Sequence, residues 1–337
     1  MSGPGGLGRS GLGRGTFLAV LSSIAFGTSG VLAKPVMEAG AAPAQVTSAR
    51  IALAAVVLLV GTAVLRPRAL WPGSGLRGWT LPLGYGLFAV VGAPLLFFVS
   101  ASRIPVGIAM LLQFTAPVLV ALWVRLVRRT VLPTAAWWGT AIAVAGLAVV
   151  GEVWRTPRLD TVGVVAALCS AVCLAAYYLL GERAAGRADP FGVTAVGMLF
   201  GAVVLAVLSP PWLIPVTAPT ALGPSWLLLV VMALFSTVVA YLTGILSLRH
   251  VPPAVASVIG LLEVVVSAAL AWWLLGEELT AVQVAGAVVL LTGAAVVQVA
   301  SAPRPGRNRP APAPGPDLAP CSVPVGGPAH PGAGEEG

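Results

Sequence analysis

Polar side chains are so sparse along this chain that it divides into ten apolar stretches: 16–37, 44–65, 79–101, 106–125, 134–152, 161–181, 190–208, 224–247, 254–275 and 281–301. Each is close to the roughly 20 residues that a helix needs to cross a hydrocarbon core about 30 Å thick. In lipid every backbone N–H and C=O must be satisfied within the protein, and a helix does this within one segment. The pattern therefore predicts ten transmembrane helices and an all-α polytopic membrane protein. Two flanking segments break it. Residues 1–15 are glycine-rich, and 302–337 hold ten prolines with almost no large apolar residue. Neither buries enough surface to fold, so both are expected to be disordered tails. The longest loop between stretches, 209–224, carries no charge and is expected to lie at the membrane interface or over a cavity.

A repeat lies within this pattern. The segment Ala101 to Val150 returns without a gap 147 residues later as Leu248 to Val297, with Pro105 on Pro252, Ala109 on Ala256, Gly139 on Gly286 and Gly146 on Gly293. The first copy covers spans four and five, the second nine and ten. Equivalent spans are thus five apart. Five is odd, so one copy is inverted relative to the other, as in many secondary transporters. The domains read as 16–152 and 161–301, two inverted five-helix repeats.

Charge then orients the chain. Charged residues are 9% of the total, against about 25% in soluble domains, and the mean hydropathy is +0.97. Of the 19 Lys and Arg, fourteen fall in the tails and the loops after even-numbered spans. Four (Lys34, Arg103, Arg155, Arg158) follow odd-numbered spans, and Arg50 lies within the second. Cytoplasmic loops carry the excess of Lys and Arg, so both termini are expected in the cytoplasm of a cell-membrane protein. The net charge of +8 is this bias and calls for no nucleic-acid partner. The first span is full length with no cleavage site after it and reads as a retained helix. Cys169 and Cys173 share a face of the sixth span and Cys321 lies in the tail, which gives no disulfide framework.

Several local motifs add a resemblance. They are Ala25-Phe26-Gly27-Thr28-Ser29-Gly30 with Lys34, then Ser48-Ala49-Arg50, Phe114-Thr115-Ala116-Pro117-Val118, Leu261-Leu262-Glu263-Val264-Val265, Leu275-Gly276-Glu277-Glu278-Leu279 and Gln283-Val284-Ala285-Gly286. In this order, over roughly residues 16–300, the chain resembles the EamA family of the drug/metabolite transporter superfamily. The resemblance implies ten spans as two inverted five-helix repeats, and export of small metabolites through a central cavity. The chain departs from that pattern at three places. Val264 stands where the family usually has proline, Arg129-Thr130 replaces the Gly-Glu pair kept at Gly276-Glu277, and Phe26 replaces a common tryptophan.

Few residues can carry chemistry in so apolar a chain. Glu263 lies about ten residues into its span, near the midplane, where a carboxylate costs roughly 2.5–3.5 kcal/mol to insert. It either serves substrate and proton or sits neutral, bonded to a neighbouring helix. Gly260, Glu263 and Ser267 share a helical face, and the repeat maps that face onto Gln113, Ala116 and Val120. Arg50, some 9 Å into the second span, either binds a substrate carboxylate or snorkels. Tyr177 shares a stripe with Ser170 and Cys173, and Tyr241 one with Thr237 and Gly244; both are candidates for a cavity wall. Pro94 and Pro117, inside spans, are candidate hinges for alternating access. The glycine pairs 139/146 and 286/293 suit close helix packing, with homodimer contacts as a second use.

No H-E-x-x-H, no G-x-S-x-G and no pair of deep aspartates is present, and both histidines lie in loop or tail. An intramembrane enzyme is therefore not expected, nor any cofactor or metal. The expected function is a secondary transporter exporting a small metabolite, an amino acid or related compound, by alternating access, with protons as a candidate coupling ion. An exporter of hydrophobic or cationic toxic compounds is the alternative, with a channel or scaffold behind it.

Overall fold

The computed structural model describes residues 9–71, 76–104, 106–129, 133–150, 160–276, 278 and 280–301. The tail 302–337, with Cys321 and His330, and the loop holding Arg155 and Arg158 lie outside them. Among the described residues eight helices are long and apolar enough to cross a membrane: Gly11–Glu38, Pro43–Leu65, Gly78–Ala101, Ile108–Leu126, Thr161–Gly186, Pro190–Leu208, Ser225–Ser247 and Pro253–Leu275. Two shorter apolar helices, Thr134–Val150 and Ala281–Val297, occupy the fifth and tenth places.

The helices are α1 (Arg9–Glu38), α2 (Pro43–Leu65), α3 (Leu76–Tyr85), α4 (Ala93–Ala101), α5 (Val106–Gln113), α6 (Ala116–Leu126) and α7 (Thr134–Val150) in the first half. The second half holds α8 (Thr161–Arg187), α9 (Pro190–Leu208), α10 (Ser225–Val231), α11 (Ala240–Ser247), α12 (Pro253–Gly260), α13 (Leu262–Leu275) and α14 (Ala281–Ser301). The sequence writes several of their ends. Asp160 and Asp189 cap α8 and α9, their carboxylates accepting from Val162 N at 2.7 Å and Phe191 N at 2.9 Å. At α14, Thr280 and Gln283 bond each other's backbone N–H reciprocally, a capping box. Gly276 ends α13 with φ 67, and Arg129, one repeat earlier, takes φ 52 without being glycine. Of the N-terminal tail expected over 1–15, residues 1–8 lie outside the described residues; α1 is already helical from Arg9, and Gly15 packs so closely on His250 that an added Cβ would lie 2.5 Å from that residue's Cβ.

Four spans are not simple α-helices, and the irregularities obey the repeat. A π turn, Gly86–Gly92, separates α3 from α4; another, Met232–Val239, separates α10 from α11, at the equivalent place. The fourth span breaks at Phe114–Thr115 and the ninth at Leu261, again equivalent. π turns are rare and concentrate at functional sites. Pro94 lies two residues past the first π turn and Pro117 two past the first break, but Tyr241 and Val264 occupy those places in the second half. The irregularities thus recur at the repeat interval in a half that has no proline at those places.

Packing exchanges elements between the halves. Helix α1 lies against α11, α12 and α13 of the second half, and α8 lies against α4, α5 and α6 of the first. Equivalent helices also pair directly, α2 with α9 and α7 with α14. The α7–α14 contact is built on glycine: a Cβ on Gly146 would fall 2.3 Å from Leu290 N, and one on Gly293 2.3 Å from Ala143 N. Both glycine faces meet each other inside the chain. The homodimer contact expected of them as a second use therefore has no free glycine face, and the first use accounts for both.

Ion pairs tie the ends. Arg66–Asp189 (2.9 Å) and the two-bond pair Arg128–Glu182 join segments that the charge count assigns to one face, and Arg103–Asp160 (3.3 Å) joins segments assigned to the other. Loop 209–224 folds back on the helices. A two-residue pairing of β1 (Pro219–Thr220) with β2 (Gly223–Pro224) pins it, and Ile214 is buried with Val36, Val46, Leu228 and Met232.

Candidate functional site

The first span carries Ser22, Ser23 and Thr28 through an apolar environment, where each hydroxyl needs a partner. Ser22 donates to the Ala240 carbonyl at 2.7 Å, just past the second π turn. Ser23 donates to Ala19 O at 2.9 Å and reaches Ile259 O at 3.2 Å, just before the break at Leu261. Thr28 and Ser236 share a hydrogen bond at 2.7 Å. These serines thus bond carbonyls at the points where the eighth and ninth spans leave regular α geometry. That is how broken backbone is tolerated at membrane depth.

Glu263 stands in the first turn of α13, immediately after that break. Its backbone packs against Gly27, where a Cβ would fall 2.9 Å from the Glu263 carbonyl. Its carboxylate borders a small cavity walled by Ser22, Ser23 and Phe26 of α1, Tyr177 and Tyr178 of α8, and Gly244, Ser247 and Gly260. Among the described residues it makes no hydrogen bond and no salt bridge. Arg50 is close enough for the two charges, and the Tyr241 hydroxyl, to act on one another. The guanidinium itself donates to Ser29 Oγ.

All four tyrosines of the chain surround this corner. Tyr177 and Tyr178 lie edge to face with centroids 4.8 Å apart, Tyr177 and Tyr241 at 5.8 Å, Tyr85 and Tyr177 at 5.8 Å, and Phe26 caps Tyr241 at 5.0 Å. Tyr241 donates to Ala89 O within the first π turn at 3.0 Å, while the buried Tyr85 hydroxyl has no hydrogen-bond partner among the described residues. Two glycines make room for hydroxyls. A Cβ on Gly244 would fall 2.1 Å from Tyr177 Oη, and one on Gly260 2.1 Å from Tyr178 Oη.

The structure brings Glu263, Tyr177, Tyr241 and Arg50 into one neighbourhood. Ser267 lies one turn further along α13, facing Gly30 rather than the cavity. Gln113 is not among the residues that line this cavity. Its Nε2 donates to Ser170 Oγ at 2.8 Å, with Ala93 O at 3.5 Å, inside the first half. A helical wheel places Gln113 on the equivalent face correctly. It does not reveal that α8, rather than α1, covers that face. Tyr85 and Tyr178 were missed. Tyr178 adjoins Tyr177 in sequence and is rotated about 100° from it round the helix, so a single-stripe reading leaves it out; Tyr85 had no stripe to mark it.

Known proteins resemble this chain in sequence and in fold. The chain is 31% identical over 271 residues to the threonine/homoserine exporter RhtA of Salmonella typhimurium strain SL1344, covering 79% of this chain and 84% of that one. The protein of the same name from Escherichia coli K12 is 30% identical over 272 residues, with the same coverage. The uncharacterized transporter YwfM of Bacillus subtilis is 26% identical over 255 residues, 72% of this chain and 82% of that one. A protein of known crystal structure superposes with a TM-score of 0.71 at 20% identity, over 85% of this chain and 97% of its own, which speaks for the fold alone. The EamA-like transporter family profile matches twice, over residues 13–151 and 161–299, one match per half. A multi-pass membrane chain of two such halves is a member of the EamA-like transporter family.

Proposed function

We propose that this protein exports a small amino-acid-like metabolite across the cytoplasmic membrane by alternating access, with Glu263 exchanging a proton for the ammonium group of the substrate. In this reading all ten apolar helices cross the membrane and both termini are cytoplasmic. The observation that carries it is the Glu263 carboxylate, beside a cavity and without hydrogen bond or salt bridge among the described residues. A carboxylate at membrane depth is stable with a proton on it or a cation beside it. Alternation between those two conditions is what antiport needs. Arg50, within electrostatic reach, supplies the opposite charge for a substrate carboxylate, so the pair suits a zwitterion. Small hydroxy amino acids, of the kind named for the relatives, fit this chemistry. The symmetric π turns, each followed by a carbonyl that a serine of the other half bonds, support rocking of the two halves against each other.

The test is metabolite profiling of the medium from cells that overproduce the native chain, Glu263→Gln or no protein. Extracellular accumulation with the native chain alone is expected. Equal accumulation with Glu263→Gln would leave an exporter but remove Glu263 from the mechanism; no accumulation in any strain would remove metabolite export. A second reading rests on the aromatic corner. Phe26, Tyr177, Tyr178 and Tyr241 beside one carboxylate also suit a hydrophobic cation. Resistance to toxic cations that survives Arg50→Ala would favour it, because a cation has no use for Arg50.

A further inference from the structure

The two halves make the same crossing twice, and one copy is filled. In the second half Ser22 of α1 donates to the carbonyl of Ala240, the residue after the π turn, at 2.7 Å. In the first half Ser170 of α8 donates to the carbonyl of Ala93, the residue after the other π turn, also at 2.7 Å. Ala93 and Ala240 are 147 residues apart, the offset of the repeat. The helix that closes each crossing ends at equivalent residues, α5 at Gln113 and α12 at Gly260. At Gly260 there is no side chain; the Tyr178 hydroxyl stands where its Cβ would be, and the space between it and Ser22 is the Glu263 cavity. At Gln113 the side chain reaches into the matching space and bonds Ser170 at 2.8 Å.

We propose that Gln113 is a plug. Its side chain fills the first-half counterpart of the Glu263 cavity and thereby leaves the protein with one site instead of two. Filling also stiffens that crossing. The amide donates to the hydroxyl that already bonds Ala93, so α5, α8 and the third span are joined through one pair of side chains. At the Glu263 crossing the matching tie is made from α1 alone, Ser22 bonding the Ala240 carbonyl and Ser23 the Ile259 carbonyl, and no side chain enters from the position equivalent to Gln113. Gln113 is in this sense a positioning residue: it touches no substrate and decides on which side of the pseudo-two-fold a site exists. A chain without the Gln113 side chain has a second pocket, lined by Ser170 and carbonyl oxygen. Ala116 stands there in place of Glu263, so the pocket admits water and small neutral hydrogen-bonding solutes, not cations.

Cys173 reports on this space. It is buried, one turn along α8 from Ser170, and a Cβ on Gly92, next to Ala93, would touch its Sγ at 2.8 Å. The experiment uses the full chain with Cys169→Ser and Cys321→Ser, leaving Cys173 as its one thiol. Purified Gln113, Gln113→Gly and Gln113→Leu chains are reacted with a small water-soluble methanethiosulfonate, and each must elute as a single folded species. Thiol labelling follows solvent access, so Gln113→Gly should label at least about tenfold faster than the parent while Gln113→Leu, which refills the volume, stays within about twofold. Gln113→Ala replaces Gln113→Gly if the latter does not fold. Labelling of the small-residue variant at the parent rate would overturn the proposal, and so would labelling of Gln113→Leu as fast as that variant. The readout does not depend on transport, so the result stands apart from the fate of the export reading.

Discussion

Replacing Gly260 by alanine tests the site geometry most sharply. An added Cβ would lie 2.1 Å from Tyr178 Oη and 3.3 Å from its Cζ, with nothing else within 4 Å. The hydroxyl must retreat by more than about 1 Å to reach ordinary contact, yet Tyr178 is buried with its ring against Tyr177 at 4.8 Å. Overpacking of this kind costs about 1–3 kcal/mol, and alanine returns about 0.5–1 kcal/mol of helix preference over glycine. A net loss of about 0.5–2 kcal/mol is expected. Removing the hydroxyl reverses the balance. In a Tyr178→Phe background the nearest atom is the ring carbon, and Gly260→Ala becomes neutral or slightly stabilising. The two changes should therefore couple by about 1–3 kcal/mol in a double-mutant cycle. Tryptophan fluorescence of the four chains in detergent reads this as melting temperatures, at roughly 2–4 °C per kcal/mol. Additivity within about 0.5 kcal/mol would refute the contact as drawn.

Three further outcomes follow from the fold. Gly146→Ala pushes a Cβ to 2.3 Å from a backbone nitrogen of α14 and should lower the melting temperature by several degrees, at about 1–3 kcal/mol. Gly61→Ala, with nothing within 4 Å, should raise it slightly; the same sign for both would contradict the α7–α14 crossing. Pro117→Ala should leave the fourth-span break in place, because the ninth span makes it with Val264; loss of export at unchanged expression would restore the proline as a hinge. Asp160 is held below the usual carboxylate range, first by the Val162 N–H and then by Arg103. Its contribution is therefore complete above about pH 4 and fades as pH falls through the lowered value. Asp160→Asn should melt below the native chain at pH 6 and level with it near the native acid limit, and a gap unchanged by pH would contradict this.

The eight long apolar helices and the repeat were readable in the sequence, because length and periodicity each leave a local mark. What faces what was not. In a soluble protein the wet face of a helix is polar, and the pattern tells inside from outside. Along α2 the exposed Val56, Val60 and Val64 are as apolar as the buried Ile51, Ala54 and Leu58, since lipid and protein interior make the same demand. The wheel therefore grouped Gln113 with Glu263 but left open which helix covers each. The π turns have no composition of their own; only their recurrence at one repeat interval marks them. Prolines 94 and 117 drew attention to the right places for a reason that the second half does not share.

The exchange of first helices between the halves has a consequence for how the chain is made. Helix α1 leaves the ribosome early, but the helices that receive its serines are not complete until residue 275. At about 5–20 residues per second, some 240 residues of synthesis keep α1 waiting roughly 10–50 s. Through that interval Ser22 lacks the Ala240 carbonyl, Ser23 the Ile259 carbonyl and Thr28 the Ser236 hydroxyl, and only the bonds of Ser23 and Thr28 back to Ala19 and Ala25 of their own helix are available. The nascent first half is thus a natural client for whatever shelters half-built membrane proteins, and nonsense mutations anywhere before the ninth span should yield fragments that are cleared rather than retained.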